Sequence, residues 1–412
     1  MEPSAIVFIL SSEWSTYHRP GLIRAVAGAA AGRFAVLVVD NPVCLATSRW
    51  HRPERWRAWR AGGPRVRLVG ENLWLLDAAI ALHDRLACSF PGMRWLNRAM
   101  MTAQVRAALL GAGVATAPVT WLQFPTFQHY AGFLGEPLTV YECYDDHSDL
   151  PGLSSHERRR LVRLERRLLK RCGLVFTTSK PLFDDRRAQH PNVVLTYNAA
   201  DPDFFAAVAA DSLARVTQRC LDTPTIGYLG TIHEHTDLAL LADIAACRPD
   251  WRIILIGPVQ AGADRYQLAR LQAAVNVELH GRVGDADLAP LLCRFDVGVI
   301  PYRSDARFNR SVNPNKLHEY TAMGKPVVAT PGLDVSSHGD GVAVAAGLDA
   351  FLAAVQAEHA ENSTTRVRRR LTVAADNSWH ARAEVMLQHV ERTLRERAAA
   401  GGRERREAES RQ

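Results

Sequence analysis

The sequence predicts an α/β protein built from two doubly wound, Rossmann-like domains, and three observations predict it. The chain has 412 residues, more than one ordinary hydrophobic core accommodates. Short apolar runs of strand length alternate with helical patterns along nearly all of it, as in parallel sheets covered on both faces. The alternation lapses over residues 206–223 and then begins afresh.

The first series opens on Ala5-Ile6-Val7-Phe8-Ile9-Leu10, read as a buried strand. Further strands are expected over 34–39, 66–69, 119–124, 138–144, 174–178 and 193–197, with helices notably over 20–31, 93–110 and 155–171. Residues 1–205 therefore read as one domain and 206–223 as a linker. The second domain, 224–375, has strands expected over 225–229, 252–256, 277–279, 297–301, 326–329 and 342–345, separated by helices over 238–247, 286–294, 315–323 and 349–359. A last helix, within 376–398, starts at Trp379. Its apolar positions Ala383, Met386, Leu387, Val390 and Leu394 keep a helical spacing, so it must dock on something. Residues 399–412 are charged and Gly-containing and read as a disordered tail.

No apolar run approaches the roughly 20 residues needed to cross a bilayer. The start of the chain lacks the basic segment and cleavage site of a secretory signal, which predicts a cytoplasmic protein. The seven cysteines are scattered and never in CxxC spacing, as expected of reduced thiols and of no zinc site. A net charge of +7 favours anionic partners but equally follows from an Arg- and Ala-rich codon usage.

In open α/β sheets ligands bind beyond the carboxyl ends of the strands, and two such sheets facing each other would make an interdomain cleft. The richest strand end follows Val297-Gly298-Val299-Ile300-Pro301. A loop with Arg303, Arg307 and Arg310 leads to a helix starting near Pro314-Asn315. Free N–H groups and the dipole at a helix N-terminus suit a phosphate, and Lys316 in the first turn adds a full charge. Glu319 stands about one turn deeper, where a carboxylate can accept both hydroxyls of a ribose. The plainer alternative is that Asn315 caps the helix and Glu319 pairs with Lys316 or Lys325 on a solvated face.

The run Asn313 to Thr330, with Pro314, Lys316, Glu319-Tyr320 and Gly324-Lys325-Pro326-Val327-Val328-Ala329, resembles the donor-binding signature of group 1 (family 4-like) glycosyltransferases of the GT-B fold. Ile226-Gly227-Tyr228-Leu229-Gly230-Thr231, Trp251–Pro258 and Asn276–Val283 resemble other segments of the same domain, in order and with normal spacing. The resemblance implies a glycosyltransferase using a nucleotide diphosphate sugar as co-substrate, with no cofactor. It implies that Glu319 binds the ribose, that Lys316 and the loop arginines bind the diphosphate, that Gly230 and Thr231 form the glycine turn, and that Arg282 and Val283 meet the base. It also implies that the C-terminal helix crosses back to the N-terminal domain. One departure stands out. Retaining relatives carry a further glutamate eight residues before the ribose glutamate, where this chain has Ser311.

The N-terminal half resembles the family less. Trp14 and Tyr17, after the first strand, are candidates to stack an acceptor or to cover the core. Asp145, Asp146 and His147 follow the strand over 138–144 and are the best general-base candidates, although a single Asp more often caps a loop. His129 is a second acceptor-side candidate. No carboxylate pair has DxD spacing in a metal-binding place, so leaving-group charge falls to Arg, Lys and the helix dipole, and no metal is expected.

Residues 49–60 interleave Trp with Arg, and 158–171 carry eight basic residues. This composition suits an anionic membrane surface and equally a solvated face; no nucleic-acid-binding motif accompanies it. The acceptor, whether glycan, lipid or small molecule, is not readable. An NDP-sugar epimerase or hydrolase on the same fold, and a non-catalytic nucleotide-sugar-binding subunit, remain open alternatives.

Overall fold

The computed structural model describes residues 4–150, 152–216 and 223–410. The chain divides into two compact units. The first comprises Met1–Thr178, Leu182–Thr196 and Arg382–Gln412, and the second Ser179–Pro181 and Tyr197–Ala381.

The strands of the first unit are β1 (Ser4–Ile9), β2 (Ala35–Val39), β3 (Val43–Cys44), β4 (Arg65–Gly70), β5 (Leu73–Asp77), β6 (Ala79–Ile80), β7 (Thr116–Leu122), β8 (Leu138–Cys143), β9 (Leu174–Thr177) and β10 (Val193–Leu195). Eight of them form one sheet in the order β10-β9-β8-β7-β1-β2-β5-β4. Every neighbouring pair is parallel except β4 with β5. The inner strands are continuous runs of Val, Ile, Leu and Phe because helices cover both faces, and Ala5 to Leu10 are wholly buried. The Ser155–Leu169 helix is fixed at its start by a capping box of Ser154 and Glu157.

The second unit contributes β11 (Thr225–Leu229), β12 (Arg252–Ile256), β13 (Val277–His280), β14 (Val297–Ile300), β15 (Val327–Ala329) and β16 (Ala343–Val344). They form a parallel sheet in the order β13-β12-β11-β14-β15-β16. The strand order reverses between β11 and β14, which is the topological switch point.

Several expectations need correction. Residues 73–77, read as no element, are an inner strand. The expected strand over 66–69 is only the edge, with Leu68 64% exposed. The two strands are joined by a tight turn in which Asn72 adopts φ 55° and its amide ties to the carbonyls of Ala27 and Phe34, both at 2.8 Å. The expected linker begins with a helix, Ala206–Arg215, whose Ser212 hydroxyl donates to the Met323 carbonyl at 2.8 Å, so this stretch packs within the second unit. Residues 217–222 of that linker lie outside the described residues. The basic stretch after 363 is a helix, Thr364–Asp376, with Val367 and Ala374 buried. The final helix runs from Trp379 to Ser410, past the point where a disordered tail was expected; Ala398, Ala399 and Ala400 favour continuation. Residues 411–412 of that tail lie outside the described residues.

That helix opens on the second unit, where the Trp379 N–H donates to the Ala200 carbonyl at 3.0 Å. Its residues from Arg382 belong to the first unit. There Ala383, Met386, Leu387 and Val390 are buried, Glu391 pairs with Arg33 at 2.6 Å, and Arg397 donates to the Pro137 carbonyl at 2.5 Å. Among the described residues no helix is long and apolar enough to cross a membrane.

Candidate functional site

The site in the second unit is built on the gap at the switch point. Strands β11 and β14 pair only at Ile226–Val297 and Gly227–Gly298, then separate. The Tyr320 side chain fills the divergence from the Asn315–Ala322 helix. Its hydroxyl accepts from the Leu229 N–H at 2.8 Å and faces the carbonyls of Gly227 at 3.2 Å and Val299 at 3.3 Å. Backbone groups that lose ladder partners where strands part are thereby satisfied. The ring lies on Gly298, where a Cβ would come within 2.5 Å of it, so the strand needs glycine there for the helix to seat. This contact fixes the height of the helix over the sheet, and with it Lys316 and Glu319.

Lys316 reaches back to the end of β11. Gly230 sits at φ 122°, and a Cβ there would fall 2.8 Å from the Lys316 ammonium. Nζ donates to the Tyr302 hydroxyl at 2.8 Å and lies 5.0 and 5.2 Å from the ring centres of Tyr228 and Tyr302. Burial works to lower the ammonium pKa, but these tyrosines outweigh it and hold it above its ordinary value. With Tyr228 as a second hydrogen-bond partner of Nζ, one of its three N–H bonds is left over for an anion. Glu319 is half-buried, and burial raises its carboxyl above the usual range despite Lys316 nearby. Among the described residues its carboxylate makes no hydrogen bond or ion pair, so the surface pairing with Lys316 or Lys325 does not form. Nor does Asn315 cap the helix. The cap position is Pro314 and no side chain closes it, while the Asn315 Oδ1 is buried without a partner. The Leu317 N–H turns back to the Pro314 carbonyl at 3.1 Å, and no side chain caps the first-turn N–H groups of Asn315 and Lys316.

The other expected donor contacts take varied positions. Thr231 follows Gly230 and its carbonyl accepts from the Tyr228 hydroxyl at 2.7 Å. Arg282 is exposed and Val283 half-buried in the loop after β13, which is tied to β12 by the Gly257 N–H at 2.9 Å from the His280 carbonyl. Arg303 pairs with Asp305 at 2.8 Å on the surface, and Arg307 and Arg310 are exposed on a 3-10 turn. Ser311 is buried and its hydroxyl donates to the Phe308 carbonyl at 3.1 Å, so this side chain does not stand in for the glutamate.

Sequence reasoning missed Tyr302, Tyr228 and the two histidines beyond β11. Thr236 bridges to Tyr302, and the Arg303 N–H donates to the His235 carbonyl at 2.8 Å. This brings the His233 ring to 5.4 Å from Tyr302, where burial foremost, then Lys316, lowers its pKa to about 4. The Pro301-Tyr302-Arg303 run carries the tyrosine, but its contact with Lys316 spans 14 residues and no local spacing announces it.

In the first unit the loops after β1, β7 and β8 share one edge of the sheet. Beneath them Arg19 pairs with Glu142, both almost wholly buried. Glu142 also accepts from Trp121 at 2.9 Å and Gln123 at 2.8 Å. Three residues expected to act here are structural. Tyr17 is buried, its hydroxyl accepting from Gln123 at 2.6 Å, so it covers the core rather than an acceptor. His147 is buried against Phe124 and Tyr144, with Nε2 at 3.0 Å from the Gln123 carbonyl, and burial drives its pKa to about 3. His129 is buried, with Nε2 3.1 Å from Asp84 and Nδ1 3.0 Å from the Thr126 carbonyl, and does not reach solvent as a loop residue would. Asp146 closes its own loop, accepting from the Ser148 N–H at 3.0 Å and hydroxyl at 2.7 Å. Asp145 differs. It is half-buried, its carboxyl has no hydrogen-bond partner among the described residues, and burial raises its pKa to about 7, with Arg19 opposing and Asp146 adding. Trp14 stacks on Tyr17 with centroids 6.4 Å apart and borders a cavity.

Residues 223–360 match the family described as glycosyl transferases group 1. The match lies within the second unit. It holds the whole Lys316–Glu319 site, including Gly230, Tyr302 and Tyr320. The chain is similar to the putative teichuronic acid biosynthesis glycosyltransferase TuaH of Bacillus subtilis, at 26% identity over 219 residues. That match covers 51% of this chain and 54% of TuaH, so the chain spans about half the length of this curated relative. The fold is GT-B. Sucrose-phosphate synthase from Thermosynechococcus elongatus superposes with a TM-score of 0.64 at 16% identity, covering 95% of this chain and 99% of that one. Anabaena HepE, solved with UDP and glucose, gives 0.60 at 14% identity, covering 95% and 100%.

Proposed function

We propose that this protein is a glycosyltransferase that takes a sugar from a nucleotide diphosphate sugar without a metal ion. The observation that carries the reading is the unpartnered Glu319 carboxylate one turn from Lys316, on a helix whose uncapped N-terminus faces the switch point. A pyrophosphate would take the first-turn N–H groups of Asn315 and Lys316 and the remaining Nζ–H of Lys316, and a ribose would offer Glu319 its two hydroxyls. Lys316 and the helix dipole would then carry the charge that develops on the departing diphosphate. Arg303, Arg307 and Arg310, on the loop before the helix, would add to it. Asp145 is the general base of choice, because its pKa near 7 matches the working range. That HepE was solved with UDP and glucose supports a uridine nucleotide as the first to try.

The test is calorimetric titration with UDP, GDP and dTDP. One of them should bind, and Glu319→Ala should weaken it by roughly 10- to 100-fold, the range for a charged hydrogen-bonding group. Equal binding by the variant would refute the site. Transfer should continue in EDTA, and a chelator-sensitive enzyme would overturn the metal-free reading.

A further inference from the structure

The first unit contains a cavity of about 330 Å³ that neither the base candidate nor the nucleotide site uses. It lies at the carboxyl ends of β2 and β5, where a doubly wound sheet takes its ligands. Trp14 and Trp59 contribute indole rings to its wall, with Asp40, Arg55, Arg65 and Asp77 between them.

Some of these groups are already committed. Asp40 accepts from the Trp14 N–H at 2.7 Å and from Arg55 at 3.1 Å, and Arg55 lies 3.3 Å from Glu13. These contacts make a rigid frame. Others are not committed. The Trp59 indole N–H is buried with no acceptor, a state that costs about 1–3 kcal/mol unless something supplies one. Arg65 lies against Gly62 and forms no ion pair among the described residues. Asp77 forms long ion pairs with Arg55 and Arg67, both at 3.9 Å, and its oxygens keep their hydrogen-bond acceptor capacity.

We infer that this cavity is a saccharide-binding site. A sugar presents apolar C–H faces, which indole rings cover, and a rim of hydroxyls that both donate and accept. The Trp59 N–H and Arg65 would donate to that rim, and Asp77 would accept from it. The balance of charge argues against a phosphate or nucleotide, since three carboxylates stand among the arginines of the wall. The size fits one or two sugar rings and sits at the small end of ligand pockets, roughly 300–1,000 Å³. That the bound saccharide is the acceptor rests on the transferase reading; its capture by this cavity does not.

The experiment is saturation-transfer NMR on the full chain with maltose and with cellobiose, an α- and a β-linked disaccharide, with UDP titrated separately. Saturation should pass to the ring C–H protons of at least one. Arg65→Ala and Trp59→Phe should each cut the signal at least threefold with Tm unchanged, the second because it keeps a ring and removes only the N–H donor. Glu319→Ala should leave the signal intact. No transfer to either disaccharide, or full signal in both cavity variants, would overturn the inference. Disaccharide binding in a protein that ignores UDP, GDP and dTDP would sink the nucleotide reading and leave this one standing.

Discussion

Asp145 and His147 stand two residues apart in one loop, yet burial has opposite effects on what they can do. Burial favours the neutral form of each, so the carboxyl is pushed up to about 7 while the imidazole falls to about 3. A base must be deprotonated to act, so if Asp145 takes the acceptor proton, the rate should fall about tenfold per unit as pH drops below about 7. Asp145→Asn should remove that limb of the profile along with most of the rate; a variant that keeps the wild-type profile would exclude the role. The sequence favoured Asp145 or Asp146 over His147, with His129 as a second candidate, and did not separate the two aspartates. What separates them is depth and partners: the Asp146–Ser148 turn, the Gln123 carbonyl behind His147, and Asp84 beside His129. Two of these partners come from distant segments, and no local pattern announces them. Lys316 and Glu319 were legible because their chemistry depends on spacing along one helix.

At the scale of elements, the Asn315–Ala322 helix depends on a glycine in one strand and a hydroxyl across the gap. Gly298→Ala would drive a methyl into the Tyr320 ring and should cost about 1–3 kcal/mol, as overpacking does. Tyr320→Phe would leave the Leu229 N–H without its acceptor, at about 1–3 kcal/mol. Each variant should also weaken nucleotide binding without touching the ligand, because the helix that presents Lys316 loses its seat. Urea denaturation paired with UDP titration checks both, and stability lost with affinity kept would disconnect the seat from the site. All six strands of the second unit were readable, because β-branched runs alternate there with clean helical spacing. The strand β5 was not, since a two-residue turn separates it from β4 and only its pairing between β2 and the edge strand β4 makes it an inner strand. The Ala206–Arg215 helix escaped for a related reason: its small apolar face means little until Met323 stands opposite.

For the whole molecule, acid is the exposed weakness. His147 in the first unit and His233 in the second are held neutral, with pKa values of about 3 and 4 against an unfolded value near 6.5. A depressed folded pKa means that the unfolded chain binds more protons, so their contribution is complete above pH 6.5 and is lost as pH falls toward 4. Asp145, raised to about 7, gains stability over the same range and opposes them, so thermal melts should drop between pH 7 and pH 4.5 by the margin in which the two histidines outweigh it. His147→Gln should flatten the slope, and an unchanged slope would show that the imidazole is solvated. Ending the chain at Ala381 should leave the first unit insoluble, because Ala383, Met386, Leu387 and Val390 cover its apolar surface. The same arrangement sets an order of events during synthesis. The amino-terminal lobe is translated first yet receives its packing segment only after the other lobe has been made, so its nascent form must wait, incompletely covered, until the codons from Arg382 onward are read.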